Sequence, residues 1–179
     1  MNDLPPKQLS MIITAQTAAR MPVPAPPTGF CLRSYHPGDQ DSWVALINTG
    51  DYGSDWDRAR FDEYIRGPER KEGSRVTERD GVIVAATFAS VQHDMDDTGR
   101  VDFVTSLPEN RGLGLGRLVC SEVVRYLVDR GYSRVILFTD DWRLPAIGLY
   151  LSMGFEPQMT REDMPGRWEA IRRNLEAGE

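Results

Sequence analysis

The sequence predicts a mixed α/β domain in which antiparallel strands come first and strands alternating with helices follow. In the first half, two alternating apolar stretches flank the pair Asp80-Gly81, which is typical of a two-residue hairpin turn. In the second half, strand patterns alternate with two helix patterns, as in parallel βαβ units. The 179 residues contain no internal repeat and suit one core, because single domains commonly hold roughly 100–200 residues.

The composition is that of an ordinary globular protein, with 40% hydrophobic and 27% charged residues. The net charge of −6 gives no basic footprint for nucleic acid, and no apolar run approaches the roughly 18 residues of a membrane span. Cys31 and Cys120 are isolated from each other and from His36 and His93, which argues against a bound metal. Isolated cysteines and the lack of a signal-peptide pattern also predict a cytoplasmic protein.

Residues 1–28 read as an extended leader ahead of a domain over 29–179. Pro22, Pro24, Pro26 and Pro27 are incompatible with a helix or a central strand. Within the leader, residues 10–14 are apolar and β-prone, and they either pair with a sheet edge or remain disordered.

In the first half of the domain, alternating apolar residues predict strands, helical spacing of apolar residues predicts helices, and turn residues mark their ends. Asp39 or Asp41 caps the first helix, and Gly67-Pro68 ends the second. Trp43, Trp56 and Phe61 either belong to the core or line a substrate pocket. The predicted elements are a strand over 30–35, helices over 39–47 and 55–65, and hairpin strands over 74–78 and 82–90.

The second half alternates strands and helices around a glycine-rich segment. Apolar residues at four-residue spacing predict a helix that ends near Arg130, where Gly131 stops it. The strand that follows is apolar throughout and is therefore expected to be central. Pro145 opens a shorter helix that Gly154 closes. The predicted elements are strands over 101–106 and 134–139, these two helices, a short strand from Phe155 and a terminal helix over 167–175.

The segment from Arg111 to Gly116 has the chemistry of an anion site. A strand, a glycine-rich turn and a long helix place backbone N–H groups beside the positive end of a helix dipole. A dinucleotide fingerprint needs a further glycine where this chain has Arg117, so nicotinamide binding is only a minor alternative. No Gly-Lys-Ser or Gly-Lys-Thr is present, which excludes the phosphate loop of nucleotide hydrolases.

Two segments resemble the GCN5-related N-acetyltransferases, the GNAT family. Residues 104–116 are similar to its acetyl-CoA motif, which runs from an apolar strand through Pro-Glu-x-Arg to Arg-x-x-Gly-x-Gly. Residues 146–155 resemble its second signature, Ala-x-x-Leu-Tyr-x-x-x-Gly-Phe. The resemblance implies a single-domain mixed sheet whose parallel central strands splay apart at acetyl-CoA, with no metal. It implies that the donor contacts Val104, Thr105, Ser106, Arg111, Gly112, Leu113, Gly114, Leu115, Gly116, Arg117 and Arg143.

The resemblance also implies direct attack by an acceptor amine, with Tyr150 as the acid that protonates the leaving thiolate. A free amine must lose a proton, and Asp102 is the candidate base, because strand alternation places it on the face of Val104 and Ser106. Asp102 as a merely solvated carboxylate is an equal alternative. Glu78, Asp140, Asp141 and a chain of waters are further candidates for the base.

The sequence departs from the family pattern at three places. Arg143 replaces a common asparagine, Ser106 replaces an aliphatic residue, and little chain remains after Phe155 for the closing hairpin. The leader strand around Ile12 is expected to fill that edge. The expected acceptor is a small-molecule or peptide amine, with no nucleic acid or membrane partner, and the chain is expected to be a monomer or homodimer. A non-catalytic acyl-CoA sensor is the alternative function.

Overall fold

The computed structural model describes residues 7–50 and 52–178. In this part of the chain, strands form one mixed sheet: β1 (Leu9–Thr14), β2 (Cys31–Ser34), β3 (Arg75–Arg79), β4 (Val82–Val91), β5 (Thr98–Ser106), β6 (Arg134–Thr139) and β7 (Glu156–Pro157). Their order across the sheet is β2-β3-β4-β5-β6-β1-β7. All neighbours are antiparallel except β5 and β6, which are parallel. The predicted fold class is therefore confirmed.

Helices cover both faces of the sheet: α1 (Ala15–Ala18), α2 (Gln40–Asn48), α3 (Arg58–Tyr64), α4 (Pro68–Gly73), α5 (Leu115–Asp129), α6 (Leu144–Ser152) and α7 (Met164–Ala177). One core cluster joins α5, α6 and α7 to β1, β5 and β6. A second joins α2 and α3 to the middle strands and contains Trp43, Trp56 and Phe61, and a small third one joins the start of α5 to β4. These three aromatic residues are at most 4% exposed, so they belong to the core.

The hairpin and the long helix agree with their sequence patterns. Asp80 and Gly81 both have positive φ, 53° and 78°, which a type I′ turn requires. α3 ends at Tyr64, ahead of the predicted stop at Gly67-Pro68, and Pro68 begins the further helix α4, because a proline in the first turn lacks only an N–H that would have no helical partner there. Cys120 lies in the core, where burial raises the pKa of its thiol to about 12.

The predicted leader contributes a strand to the sheet. β1 pairs with β6 along its whole length, from Leu9 opposite Thr139 to Thr14 opposite Arg134. Of the two alternatives for this segment, pairing with the sheet is confirmed. β1 lies between β6 and the two-residue β7. It therefore occupies the sheet position of the closing hairpin, for which little chain remains after Phe155. Leu9, Met11 and Ile13 are at most 1% exposed.

The middle of the sheet opens where β5 and β6 stop pairing. Their parallel register runs from Thr98 opposite Arg134 to Val101 opposite Leu137, although both strands continue further. In the same stretch, β5 bulges against β4, because two residues of β5 face one residue of β4. Phe103, at the bulge, has a φ of 53°, a conformation that is costly for a residue with a Cβ. The result is a gap between two central strands.

We predict that Ile13→Ala lowers the free energy of unfolding by about 2–4 kcal/mol, because it removes buried apolar volume from the core cluster that β1 shares with α5, α6 and α7. Urea denaturation measures the change. Ile12→Ala, on the half-buried opposite face of the same strand, is the matched control and should cost clearly less. Equal effects of the two substitutions would contradict the packing of β1 into the core.

Candidate functional site

A cavity of about 590 Å³ lies beside the gap between β5 and β6. It is enclosed by β5, the glycine segment, the first turn of α5, α6 and the loop after α2. Its lining residues are Gly50, Tyr52, Val104, Thr105, Ser106, Asn110, Arg111, Gly112, Gly114, Leu115, Gly116, Arg117, Trp142, Arg143, Pro145, Ala146, Leu149 and Tyr150. Of the predicted donor-binding residues, all but Leu113 line it, and the side chain of Leu113 is exposed.

The glycine segment forms one end of this cavity. Gly112 and Gly114 have φ of 79° and 76°, which makes glycine necessary for the turn into α5. The first helical hydrogen bond runs from the N–H of Leu118 to the carbonyl of Gly114, at 3.0 Å. The N–H groups of the three preceding residues therefore have no helical acceptor. A Cβ on Gly116 would make only ordinary contacts within the protein, so glycine here leaves open space on the cavity side.

Three arginines give the cavity positive charge, although the whole chain carries −6. Arg117 donates to Ser152, and Arg111 lies at the exposed rim. Arg143 is more enclosed: its Nε donates to Asp140 at 3.0 Å, and its guanidinium lies 4.5 Å from the rings of both Tyr52 and Trp142. Over residues 7–50 and 52–178, no carboxylate or imidazole lines the cavity. Free amides and arginines together suit a phosphorylated ligand.

Tyr150 lies on α6 at the inner end of the cavity. Its side chain packs edge to face against Phe155 at 6.0 Å, and the residue is 5% exposed. Burial raises the pKa of the phenol well above its usual value near 10, and the nearby Tyr52 adds to this effect. The hydroxyl therefore remains protonated at neutral pH and is available as a proton donor.

A second, smaller pocket of about 40 Å³ lies directly in the gap between β5 and β6. It shares Tyr52, Val104, Arg143, Ala146 and Tyr150 with the large cavity, so the two are neighbours at Tyr150. The remaining lining residues are Gln8, Val101, Phe103, Leu137, Phe138 and Thr139.

Tyr52 is a site residue that the sequence did not reveal. Its hydroxyl donates to the carbonyl of Val104 at 2.7 Å, and its ring packs edge to face against Phe103 at 5.1 Å. It thereby joins the loop after α2 to the bulge in β5. No motif marks this position, because it depends on how that loop folds back over the sheet. Trp142, which is 60% exposed at the cavity, was missed for the same reason.

The expectation that Asp102 shares a face with Val104 and Ser106 is wrong. The bulge interrupts the alternation, so Asp102 contacts α3 while Val104 packs in the core clusters that contain α5. The carboxylate of Asp102 accepts from the Tyr64 hydroxyl at 2.6 Å and from Arg100 at 2.8 Å. It does not line either cavity.

The alternative carboxylates do not line the cavity either, and each is paired with an arginine. Glu78 accepts from Arg33 at 2.8 Å on the far side of the sheet. Asp140 accepts from Arg143, and Asp141 accepts from Arg167 at 2.9 Å. In the described part of the chain, no group of three or more potential metal ligands is found, and no helix is long and apolar enough to cross a membrane.

A comparison with protein-family models gives a match that covers the residues that line the large cavity. The family model described as "Acetyltransferase (GNAT) family" matches residues 41–155. A mycothiol acetyltransferase of Thermobispora bispora is 31% identical over 147 residues, which cover 75% of this chain and 50% of the relative. An uncharacterized N-acetyltransferase of Schizosaccharomyces pombe is 32% identical over 128 residues, which cover 67% of this chain and 78% of the relative. The chain spans about half the length of the mycothiol acetyltransferases that it matches.

Solved structures share the fold at lower identity. A GCN5-related N-acetyltransferase from Sphaerobacter thermophilus has a TM-score of 0.69 at 22% identity, with 86% of this chain and 49% of that chain covered. The ribosomal-protein-S18-alanine N-acetyltransferase of Escherichia coli has a TM-score of 0.60 at 20% identity, with 71% of this chain and 77% of that chain covered.

We predict that Asp102→Ala mainly destabilises the protein. It leaves Arg100 and the Tyr64 hydroxyl without their shared acceptor, whose side chain is only 13% exposed, so the free energy of unfolding should fall by about 2–4 kcal/mol. Chemical denaturation measures this. The control, Asp55→Ala, breaks an exposed pair with Arg60 and should cost less than about 1 kcal/mol. An Asp102→Ala protein of unchanged stability would contradict a structural role.

Proposed function

The chain belongs to the GNAT acetyltransferase family, and we propose that it transfers an acetyl group from acetyl-CoA to an amine by direct attack within a ternary complex. The observation that carries the proposal is one cavity that joins free helix-terminal amides to a buried, protonated tyrosine. The amides would bind the pyrophosphate of the donor, and the tyrosine would protonate the departing thiolate.

The donor would lie along the cavity from the first turn of α5 to Tyr150. The amides of Leu115, Gly116 and Arg117, with the nearby arginines, would bind the pyrophosphate. Backbone groups of Val104 to Ser106 would hold the pantetheine arm, because β6 has diverged there and leaves that edge of β5 open. Arg143 takes the place of the family's asparagine and would contact the donor from the opposite wall.

The reaction would need no enzyme nucleophile. The amine nitrogen attacks the thioester carbonyl, the new C–N bond forms, the C–S bond breaks, and the sulfur leaves as a thiolate that Tyr150 protonates. The amine must first lose a proton. Because no described carboxylate or imidazole lines the cavity, we assign proton removal to cavity water and not to Asp102.

The acceptor would be a small molecule or the amine of a peptide. One relative is named a mycothiol acetyltransferase, and one structural neighbour is named a ribosomal-protein-S18-alanine N-acetyltransferase, so a small molecule and a protein both occur in these names. A non-catalytic acyl-CoA sensor is the second candidate, and Arg143 and Ser106, which depart from the family pattern at the cavity, favour it. Release of free thiol with an amine panel separates the two, since a sensor binds acetyl-CoA without releasing thiol.

We predict that Gly116→Ala weakens binding of acetyl-CoA roughly tenfold, or about 1.4 kcal/mol, because the added methyl group intrudes on the amides of the first helical turn. Isothermal titration measures the affinity. Gly166→Ala, in the first turn of α7 with open space around its Cβ, is the matched control. Both variants should be at least as stable as the parent, since alanine favours a helix. Undiminished binding by Gly116→Ala would contradict the pyrophosphate site.

We predict that Tyr150→Phe lowers the rate of thiol release at least about tenfold, because the thiolate loses its proton donor. Binding of acetyl-CoA should remain within about threefold of the parent, since the ring is retained. Tyr126→Phe, which removes a phenol that lies outside the cavity and contacts Glu72, serves as the control. An unchanged rate in Tyr150→Phe would remove this residue from the mechanism.

A further inference from the structure

We propose that Arg167 on α7 is a positioning residue for donor binding, because it holds, through Asp141, the loop over residues 140–143 that forms one wall of the large cavity. The inference rests on the proposed function, since that function identifies the donor as acetyl-CoA. It assigns a role at the site to the last helix, which lies outside the residues that the family model matches.

The 140–143 loop connects β6 to α6 and brings two side chains to the cavity, those of Trp142 and Arg143. Within the loop, the N–H of Arg143 donates to the carbonyl of Asp140 at 3.0 Å, and its Nε donates to the Asp140 carboxylate. These contacts shape the turn. Trp142 is 60% exposed, so packing restrains it only weakly. The orientation of the loop therefore depends on its contacts with other elements.

Asp141 provides such a contact, and it does not line the cavity. Its two carboxylate oxygens both accept from Arg167, one of them from Nε at 2.9 Å. A planar, two-bond contact of this kind fixes the direction of the carboxylate as well as its distance. The side chains of Arg167 and Asp141 are 14% and 38% exposed. The pair thus orients the residue that directly precedes Trp142.

α7 is a firm support for this contact. Met164, Trp168 and Ile171 are at most 2% exposed and belong to the core cluster that also contains Tyr150. The remaining terminal nitrogen of Arg167 donates to the carbonyl of Lys7 at 2.9 Å. One guanidinium therefore joins α7, the segment ahead of β1 and the loop at the cavity.

Loss of the anchor would affect donor binding more than folding. Asp141 is 38% exposed, so water solvates its carboxylate when the arginine is absent. The loop keeps its internal hydrogen bonds but is less restrained against the cavity. The donor would then have to order Trp142 and Arg143 as it binds, and such ordering lowers affinity.

Isothermal titration of the 179-residue chain with CoA and with acetyl-CoA tests the inference without knowledge of the acceptor. We expect Arg167→Gln and Asp141→Asn each to weaken binding at least about fivefold. Because Arg167 acts through Asp141, the double variant should bind about as weakly as either single variant. Arg167→Lys keeps the charge without the planar fork, so it should recover only part of the affinity.

Arg161→Gln is the matched control. Arg161 also donates to the carbonyl of Lys7, at 3.1 Å, and to Asp163, and among the described residues it has no hydrogen bond with Asp141. Its replacement should leave the affinity for CoA within about twofold of the parent. A loss as large as that in Arg167→Gln would assign the effect to the start of β1 and overturn the inference.

Thermal unfolding separates positioning from stability. A purely structural Arg167 would lower the midpoint of unfolding and leave the affinity of the folded protein unchanged, which would overturn the inference and leave the proposed function intact. If Arg167→Gln does not fold, Asp141→Asn carries the test, and unchanged binding by that variant has the same meaning. A parent protein that binds neither CoA nor acetyl-CoA would refute the proposed function and this inference with it.

Discussion

The separation of β5 and β6 beyond Val101 and Leu137 is the constraint on which the rest of the site depends. Two central strands of a sheet normally satisfy each other's backbone groups, so an interruption exposes N–H and C=O groups in the interior. Here the bulge at Phe103 redirects β5, and the Tyr52 hydroxyl meets the exposed carbonyl of Val104. The gap therefore leaves an open strand edge next to the N-terminal end of α5.

Local sequence patterns predicted most elements and the anion end of the site. The Asp80-Gly81 turn, the apolar stripe of α5 and the glycines before it follow from short-range rules that tertiary contacts do not override. The family signature predicted Tyr150 as a site residue, and Tyr150 lies at the inner end of the cavity. The faces of β5 were not predictable, because one extra residue in a strand reverses the alternation and nothing in the sequence around Phe103 marks a bulge. Tyr52 and Trp142 depend on loops, whose paths are set by packing at a distance.

The net charge of −6 describes the chain as a whole but does not predict the charge of the cavity. A chain with −6 still presents three arginines to one cavity, because its carboxylates are paired elsewhere or lie on the surface. Asp102 is one of the carboxylates that are paired away from the cavity. Its surroundings combine a tyrosine, two arginines and an aromatic cluster, and this network stabilises the junction of α3 with β5. A partly buried carboxylate near a site is thus compatible with a purely structural role.

The position of β1 has a consequence for biosynthesis. Leu9 pairs with Thr139, so β1 finds its partner β6 only after β2 to β5 and α2 to α5 have been synthesised. Until then the apolar face of β1 has no place in the sheet, and contacts between residues so distant in sequence form slowly. The nascent chain therefore carries an unpaired, aggregation-prone segment until β6 has been made. Completion of this side of the sheet is therefore a late event of folding.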